Sequence, residues 1–210
     1  MDKIHIIGTG GLAKEVISYI ESEKNRVEII GCWGDKNFNN DLYKKYYKGD
    51  IEDFKKKYSI NEYVLIAIAD NSIRKRVVQS ELKELNINYY TYIHPSCEIS
   101  KNSKIGIGCM ICPSCIIRAD ATIGDFNFLN THCAIGHDTV LGSYNCLFPK
   151  VEICGDCSIG TNCTFGTNSI VLPGVKLDSN SQLDSMSVLG RSSKVAGFYF
   201  GNPARLIKSS

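Results

Sequence analysis

Within "CAIGHDTVLGSY", residues 133–144, His137 stands beside Asp138, a pair suited to moving a proton. An imidazole can take a proton from an attacking amine or hydroxyl near neutral pH, and a neighbouring carboxylate fixes its tautomer and raises its basicity. A second chemical feature is "GTGGLA" at residues 8–13, a G-x-G-x-x-A pattern of Gly8, Gly10 and Ala13 that also contains Gly11. Between a strand and a helix, such a loop lets backbone N–H groups and a helix N-terminus approach a phosphate. Asp35 follows the next apolar run, where an acid can hold a ribose hydroxyl or a base. Ten cysteines form the third feature. The overlapping runs "CMIC" (109–112) and "CPSC" (112–115) invite a zinc reading, but the paired C-x-x-C spacing of a zinc site is missing.

Composition narrows the classes. The 210 residues are 43% hydrophobic, enough to bury a core, with a formal charge of +2 that is too mild for a nucleic-acid partner. The basic runs "YKKYYK" and "FKKKY" lie among acids and read as a solvated helical face. No apolar run is long enough to span a bilayer, and "MDKIHIIGTGG" turns glycine-rich too soon for a signal peptide. The expectation is a cytoplasmic protein with no membrane partner and reduced thiols.

From Ile93 onward the elements that must carry the pair become legible. Every sixth residue through Leu189 is large and apolar, seventeen marks without a slip. A fixed short period signals a solenoid of stacked units, and a large aliphatic at every sixth residue suits triangular coils of three short strands, roughly five coils here. Gly106, Gly124, Gly136, Gly142, Gly160 and Gly166 fall one place after a mark, where the chain is expected to turn a corner. Cys97, Cys109, Cys115, Cys133, Cys157 and Cys163 share the fifth place of the hexad, where a small inward residue is wanted and free cysteine packs as a small hydrophobe. His137 takes the third place, which tends to face outward.

Before the ladder the pattern is α/β: "KIHIIGTGG" reads as a buried strand entering the glycine loop, and "LAKEVISYIES" has helical spacing. "VEIIGCW" and "YVLIAIADN" read as further strands, and "SIRKRVVQSELKEL" as a helix. The expected class is α/β + β, with a small Rossmann-like domain over residues 1–92 and a β-helix with a closing segment over 93–210. About ninety residues make half of a doubly wound dinucleotide fold, which favours a nucleotide-sugar over a redox cofactor.

The hexad run resembles the hexapeptide-repeat acyltransferases with a left-handed parallel β-helix. With "GTGGLA" in front, "IHPSCEIS" at the junction and "GFYFGNPARLIK" at the end, nearly the whole chain resembles the NeuD/PglD-like sugar acyltransferases. That resemblance implies a cytoplasmic homotrimer using acetyl-CoA and no metal. The implied reaction is N-acetylation of a nucleotide-linked 4-amino-4,6-dideoxy sugar for surface glycan synthesis, with sialic acid O-acetylation as the alternative. It carries over His137 as the general base for direct transfer, with Asp138 beside it and Gly155 as a backbone oxyanion donor. Gly8, Gly10, Gly11, Asp35, Asp70, Asn71 and Arg74 match the nucleotide-sugar positions. Gly155, Gly174, Gly201, Pro203, Ala204 and Arg205 match the acetyl-CoA positions, and Cys146 stands where many relatives place a second histidine that contacts the thioester. The single acid of "CWGD" and Ala69 of "IADN" depart from the usual pattern, in which two acids and a glycine are common.

Two rivals make different predictions. In γ-type carbonic anhydrases three histidines on such coils hold zinc, and His132 and His137 have the H-x4-H spacing. A third ligand should then lie a whole number of coils away, in steps of about eighteen residues. His94 is 38 residues before His132 and misses that register by two. A trimerising scaffold without activity would not bind coenzyme A.

Overall fold

A computed structural model describes residues 2–23, 27–38 and 40–209 of the chain. They form two compact units, divided between Thr91 and Tyr92.

The first unit is built on one parallel sheet of β1 (Asp2–Ile7), β2 (Val27–Trp33), β3 (Tyr47–Gly49), β4 (Tyr63–Ile66) and β5 (Asn88–Tyr89). Its spatial order is β3-β2-β1-β4-β5. β1 is buried without alternation over Ile4–Ile7, as expected of a central parallel strand covered on both faces. Helix α1 (Gly11–Ser22) buries Ala13, Val16, Ile17 and Ile20, a stripe at three- and four-residue spacing. α2 (Asp41–Lys44) and α3 (Ile51–Lys57) are short and capped by Asn40 and Asp50, whose side chains accept from Leu42 N and Asp53 N. α4 (Asn71–Arg76) runs into a π-helical turn, Val77–Glu81. Strands β3 and β5 escape the sequence reading because each is three residues or shorter. "YKKYYK" is only partly helical: it leaves α2 and enters β3, whereas "FKKKY" ends α3 with Phe54 buried.

Ahead of its closing hairpin, the second unit consists of two-residue strands stacked every eighteen residues in three sheets of parallel pairs. One column runs Ile99, Ile117, Ile135, Ile153, Val171, Leu189, each paired with the next in register. The inward side chains form one continuous core, and each fully buried aliphatic contributes roughly 1.5–3 kcal/mol. The first marks, Ile93, Ile99 and Ile105, are only partly buried because they lie on the first coil.

Two sequence expectations about this coil change. The corner residues with positive φ lie at the fourth place of the hexad, from Gly108 to Met186 in steps of six, and twelve of them are not glycine. Asp and Asn adopt this conformation at small cost, whereas Phe126 and Tyr144 are strained there and stack on each other at 5.1 Å. The second-place glycines answer a different need, close stacking of coils: a Cβ at Gly136 would lie 2.3 Å from Gly155 N. The fifth-place cysteines also do more than fill space. Cys109, Cys115 and Cys133 donate through Sγ to the carbonyls of Gly124, Asn130 and Phe148 at 3.1, 3.1 and 3.2 Å. Asn127 and Thr139 serve the same position, donating to Gly142 O and Cys154 O, both at 2.8 Å. The place calls for a small donor that satisfies a carbonyl on the next coil.

Candidate active site

In the first unit the strand order reverses between β1 and β4, the place where open parallel sheets form a crevice. A cavity of about 360 Å³ opens there, lined by residues that include Gly8, Thr9, Gly10, Trp33, Asp35 and Arg76. The glycines of the loop differ in what they are for. Gly8 sits at φ +128° with the position of a Cβ 2.5 Å from Ala67 O, so the fold itself requires glycine. Cβ atoms at Gly10 and Gly11 would meet nothing within 4 Å. Gly10 also caps α1 without a side-chain hydrogen bond, and the first turn holds no acid. The open N–H groups and the helix dipole favour an anion at this end.

In the second unit His137 and Asp138 occupy a corner, both about two-thirds exposed, with Nδ1 and Oδ2 2.7 Å apart. An ionised carboxylate only accepts, so the neutral ring carries its proton on Nδ1 and Nε2 keeps the lone pair. Asp138 takes φ 58°, and its N–H is anchored to Ala119 O at 3.0 Å. Gly155 lies one coil further on, directly under the imidazole: a Cβ there would fall 2.6 Å from Nε2. Among the described residues the Gly155 N–H donates no hydrogen bond. At another corner the equivalent N–H groups of Asp125 and Thr161 are taken by Ser143 and Ser179 Oγ one coil on; below Gly155 that position is Pro173. A free donor and an available base therefore share one corner. Gly174 stacks on this column at φ +73°, its N–H bonded to Gly155 O at 3.0 Å.

The closing segment is an antiparallel hairpin of Gly197–Gly201 and Ala204–Ser209. Gly201 turns at φ +105° and bonds Ser187 Oγ at 3.0 Å. Pro203, Ala204 and Arg205 line a second cavity of about 220 Å³ with Gly190 and Arg191. Arg191 is a guanidinium that sequence reading missed; its only signal was its place just after the last ladder mark. Among the described residues no three His, Cys, Asp or Glu side chains converge as a metal site, and no helix is long and apolar enough to cross a membrane.

Residues 3–80 match the family model described as the PglD N-terminal domain. The match covers most of the first unit, which is similar to that domain. No curated protein sequence matches the chain. Solved structures match along nearly all of it. The acetyltransferase domain of PglB from Neisseria gonorrhoeae FA1090 is 21% identical, covering 99% of this chain and 100% of that one, with a TM-score of 0.89. PerB from Caulobacter crescentus, solved in complex with CoA and GDP-perosamine, is 25% identical, covering 99% and 98%, with a TM-score of 0.86. WeeI from Acinetobacter baumannii AYE is 24% identical, covering 99% and 100%, with a TM-score of 0.75. The whole chain therefore has the fold of the PglD-like sugar acetyltransferase structures: a Rossmann-like unit followed by a left-handed parallel β-helix.

Within the first unit, the residues named from the resemblance separate into two groups. Gly8, Gly10 and Asp35 line the cavity. Asp70 instead caps α4 by accepting from Ile73 N at 2.8 Å, and Asn71 opens that helix. Arg74 is 2% exposed and donates through Nη1 to Ile68 O and Ala69 O at 2.7 and 2.9 Å, tying down the β4–α4 loop. The guanidinium that does line the cavity belongs to Arg76, paired with Glu81 at 3.1 Å. A pair five residues apart faces together because the helix has relaxed to a π turn, which helix periodicity at 3.6 residues cannot foretell. In the second unit Cys146 is also buried, at 2% exposure, on the Cys146–Leu147 strand.

Proposed function

We propose that this chain is an acetyl-CoA-dependent N-acetyltransferase acting on the amino group of a nucleotide-linked amino-deoxy sugar of the 4-amino-4,6-dideoxyhexose type. In this reading it works as a cytoplasmic homotrimer in surface glycan synthesis. The observation that carries the reading is the His137–Asp138 pair seated on Gly155, whose backbone N–H donates no hydrogen bond among the described residues. The glycine-loop cavity of the first unit supports a nucleotide-linked acceptor, and PerB, of the same fold, was solved with CoA and GDP-perosamine.

Each residue then has a defined task. His137 Nε2 accepts the proton that the sugar amine loses as its nitrogen attacks the thioester carbonyl. Asp138 holds the imidazole in the required tautomer and stabilises the imidazolium. The Gly155 N–H donates to the oxyanion of the tetrahedral intermediate. When the carbon–sulfur bond breaks, His137 returns its proton to the departing thiolate, leaving the amide and free coenzyme A. Arg191 and Arg205 supply positive charge for the coenzyme's phosphates, and Gly10, Asp35 and Arg76 hold the nucleotide.

A mass-spectrometric screen tests this reading. Acetyl-CoA is mixed with wild-type protein or His137→Ala and a panel of UDP-, GDP- and dTDP-linked 4-amino-4,6-dideoxy sugars, plus free and CMP-linked sialic acid. One amino sugar should gain an acetyl group, and the variant should lose roughly 10²–10⁴-fold in rate. Acetylation of sialic acid alone would move the reaction to O-acetylation. No product and no coenzyme A binding would leave a scaffold.

A further inference from the structure

The cavity of the first unit has an aliphatic wall to which no step proposed above gives a task. Ile51, Ile68, Ile73 and Val77 line it together with the glycine loop. Ile51 opens α3, Ile68 lies between β4 and α4, and Ile73 and Val77 are four residues apart on one helical run. That spacing puts Ile73 and Val77 on one side of the run. Burial falls off along the pair, from Val77 at 2% exposure to Ile73 at 41%. Ile51 and Ile68 are half-buried. The wall reaches the glycine loop itself, since Ile68 Cγ1 lies 3.4 Å from where a Cβ of Gly8 would stand.

Two helices bring opposite chemistry to this cavity. Gly10 precedes α1 without a side-chain cap, and the first turn carries no acid, so this end attracts an anion. At α4 the end is closed: Asp70 accepts from Ile73 N at 2.8 Å, and the side chain offered there is aliphatic. The cavity is therefore polarised, anion-seeking at Gly10 and apolar at Ile73. A nucleoside diphosphate has the same polarity, a flat base joined through ribose to charged phosphates. Inorganic phosphate alone would leave Ile73 in water, and a wholly apolar ligand would leave the helix end unanswered. Trp33 is no rival platform, being 2% exposed and packed against Phe54 at 5.7 Å.

We propose that Ile73, with Ile51 and Ile68, is the platform on which the base of the nucleotide packs, while the Gly10 end takes the phosphates. The proposal rests on reading the cavity as the nucleotide-sugar site. Aliphatic side chains hold a base by covering its apolar face rather than by pairing with its edge. Binding on this wall therefore removes apolar surface from water, which makes the heat-capacity change of binding negative.

Titration calorimetry at several temperatures, with UDP, GDP and dTDP on the full chain, tests it in wild type, Ile73→Ala, Ile73→Leu and Ile51→Ala. Ile73→Ala should bind the preferred nucleotide about tenfold more weakly, with a less negative heat-capacity change. Ile73→Leu keeps the apolar surface and should bind within about twofold of wild type. Ile51→Ala should weaken binding in the same direction, and it decides alone should Ile73→Ala fail to fold. Wild-type affinity and heat-capacity change in a folded alanine variant overturn the proposal and leave the cavity reading intact. A loss of affinity with an unchanged heat-capacity change also overturns it. A wild type that binds none of the three nucleotides overturns both.

Discussion

Gly155→Ala isolates the geometry of the base from its chemistry. The added Cβ would fall 2.6 Å from His137 Nε2, 2.7 Å from Cε1 and 3.0 Å from Cδ2, against an ordinary contact beginning near 3.4 Å. The imidazole must therefore retreat by about 0.8 Å, the difference between 3.4 and 2.6 Å. It has room to do so because the side chain is 65% exposed. Stability should consequently hold, or rise by up to about 1 kcal/mol, since Gly155 is not in the left-handed region. Activity should not hold. A misplacement near 1 Å costs a reaction on the order of 10²-fold, or about 2.7 kcal/mol in the barrier. The assay is acceptor-dependent release of the coenzyme A thiol, with kcat/KM and melting temperature measured on wild type, Gly155→Ala, His137→Ala and the double variant. Gly155→Ala should fall about 10²-fold without loss of melting temperature. The double variant should be no slower than His137→Ala, because both changes act through one ring. Wild-type kcat/KM in Gly155→Ala, or losses that multiply independently in the double variant, would refute the placement of the base on this glycine.

Other outcomes follow from the same reasoning. Gly8→Ala forces a side chain onto Ala67 O at φ +128° and should cost roughly 2 kcal/mol or more, read as a lower melting temperature. Gly10→Ala meets nothing within 4 Å, so it should melt like wild type yet bind nucleoside diphosphates more weakly by calorimetry. Burial raises the Cys163 thiol from an ordinary value of 9.0 to about 11 and the Cys32 thiol to about 12. Hydrogen bonding with Cys133, together with burial, takes Cys115 to about 12. The folded chain thus holds these protons more tightly than the unfolded chain. Their contribution is complete below pH 9 and is lost as pH rises toward 11–12, by up to about 1.4 kcal/mol per pH unit for each thiol. Melting scans from pH 7 to 10.5 should fall beyond pH 9; a flat profile would refute the assignment.

The extent of sequence legibility differs between the two units for a physical reason. In the coil, strands that pair are separated by eighteen positions, so the inward ladder and the outward place of His137 follow from counting, whereas Gly155 was reached through the family resemblance. Counting did not reveal why the second-place glycines are needed, because that depends on how closely one coil's backbone approaches the next. The same holds for the small donors at the fifth place, whose partner carbonyls lie fifteen residues on. In the first unit the strand–loop–helix order was readable from local apolar runs, but the roles of its polar residues were not. Arg74 and Arg76 are two residues apart on one helix, yet one is buried against the loop carbonyls and the other lines the cavity. Trp33, His5 and Glu62 come from separate segments and meet only in the folded unit. The sequence by itself determined the period, the glycine loop and the chemical kinds of residue available. Tertiary structure alone decided which donors and acceptors face each other, because side-chain direction and close backbone approach are set by packing between distant segments.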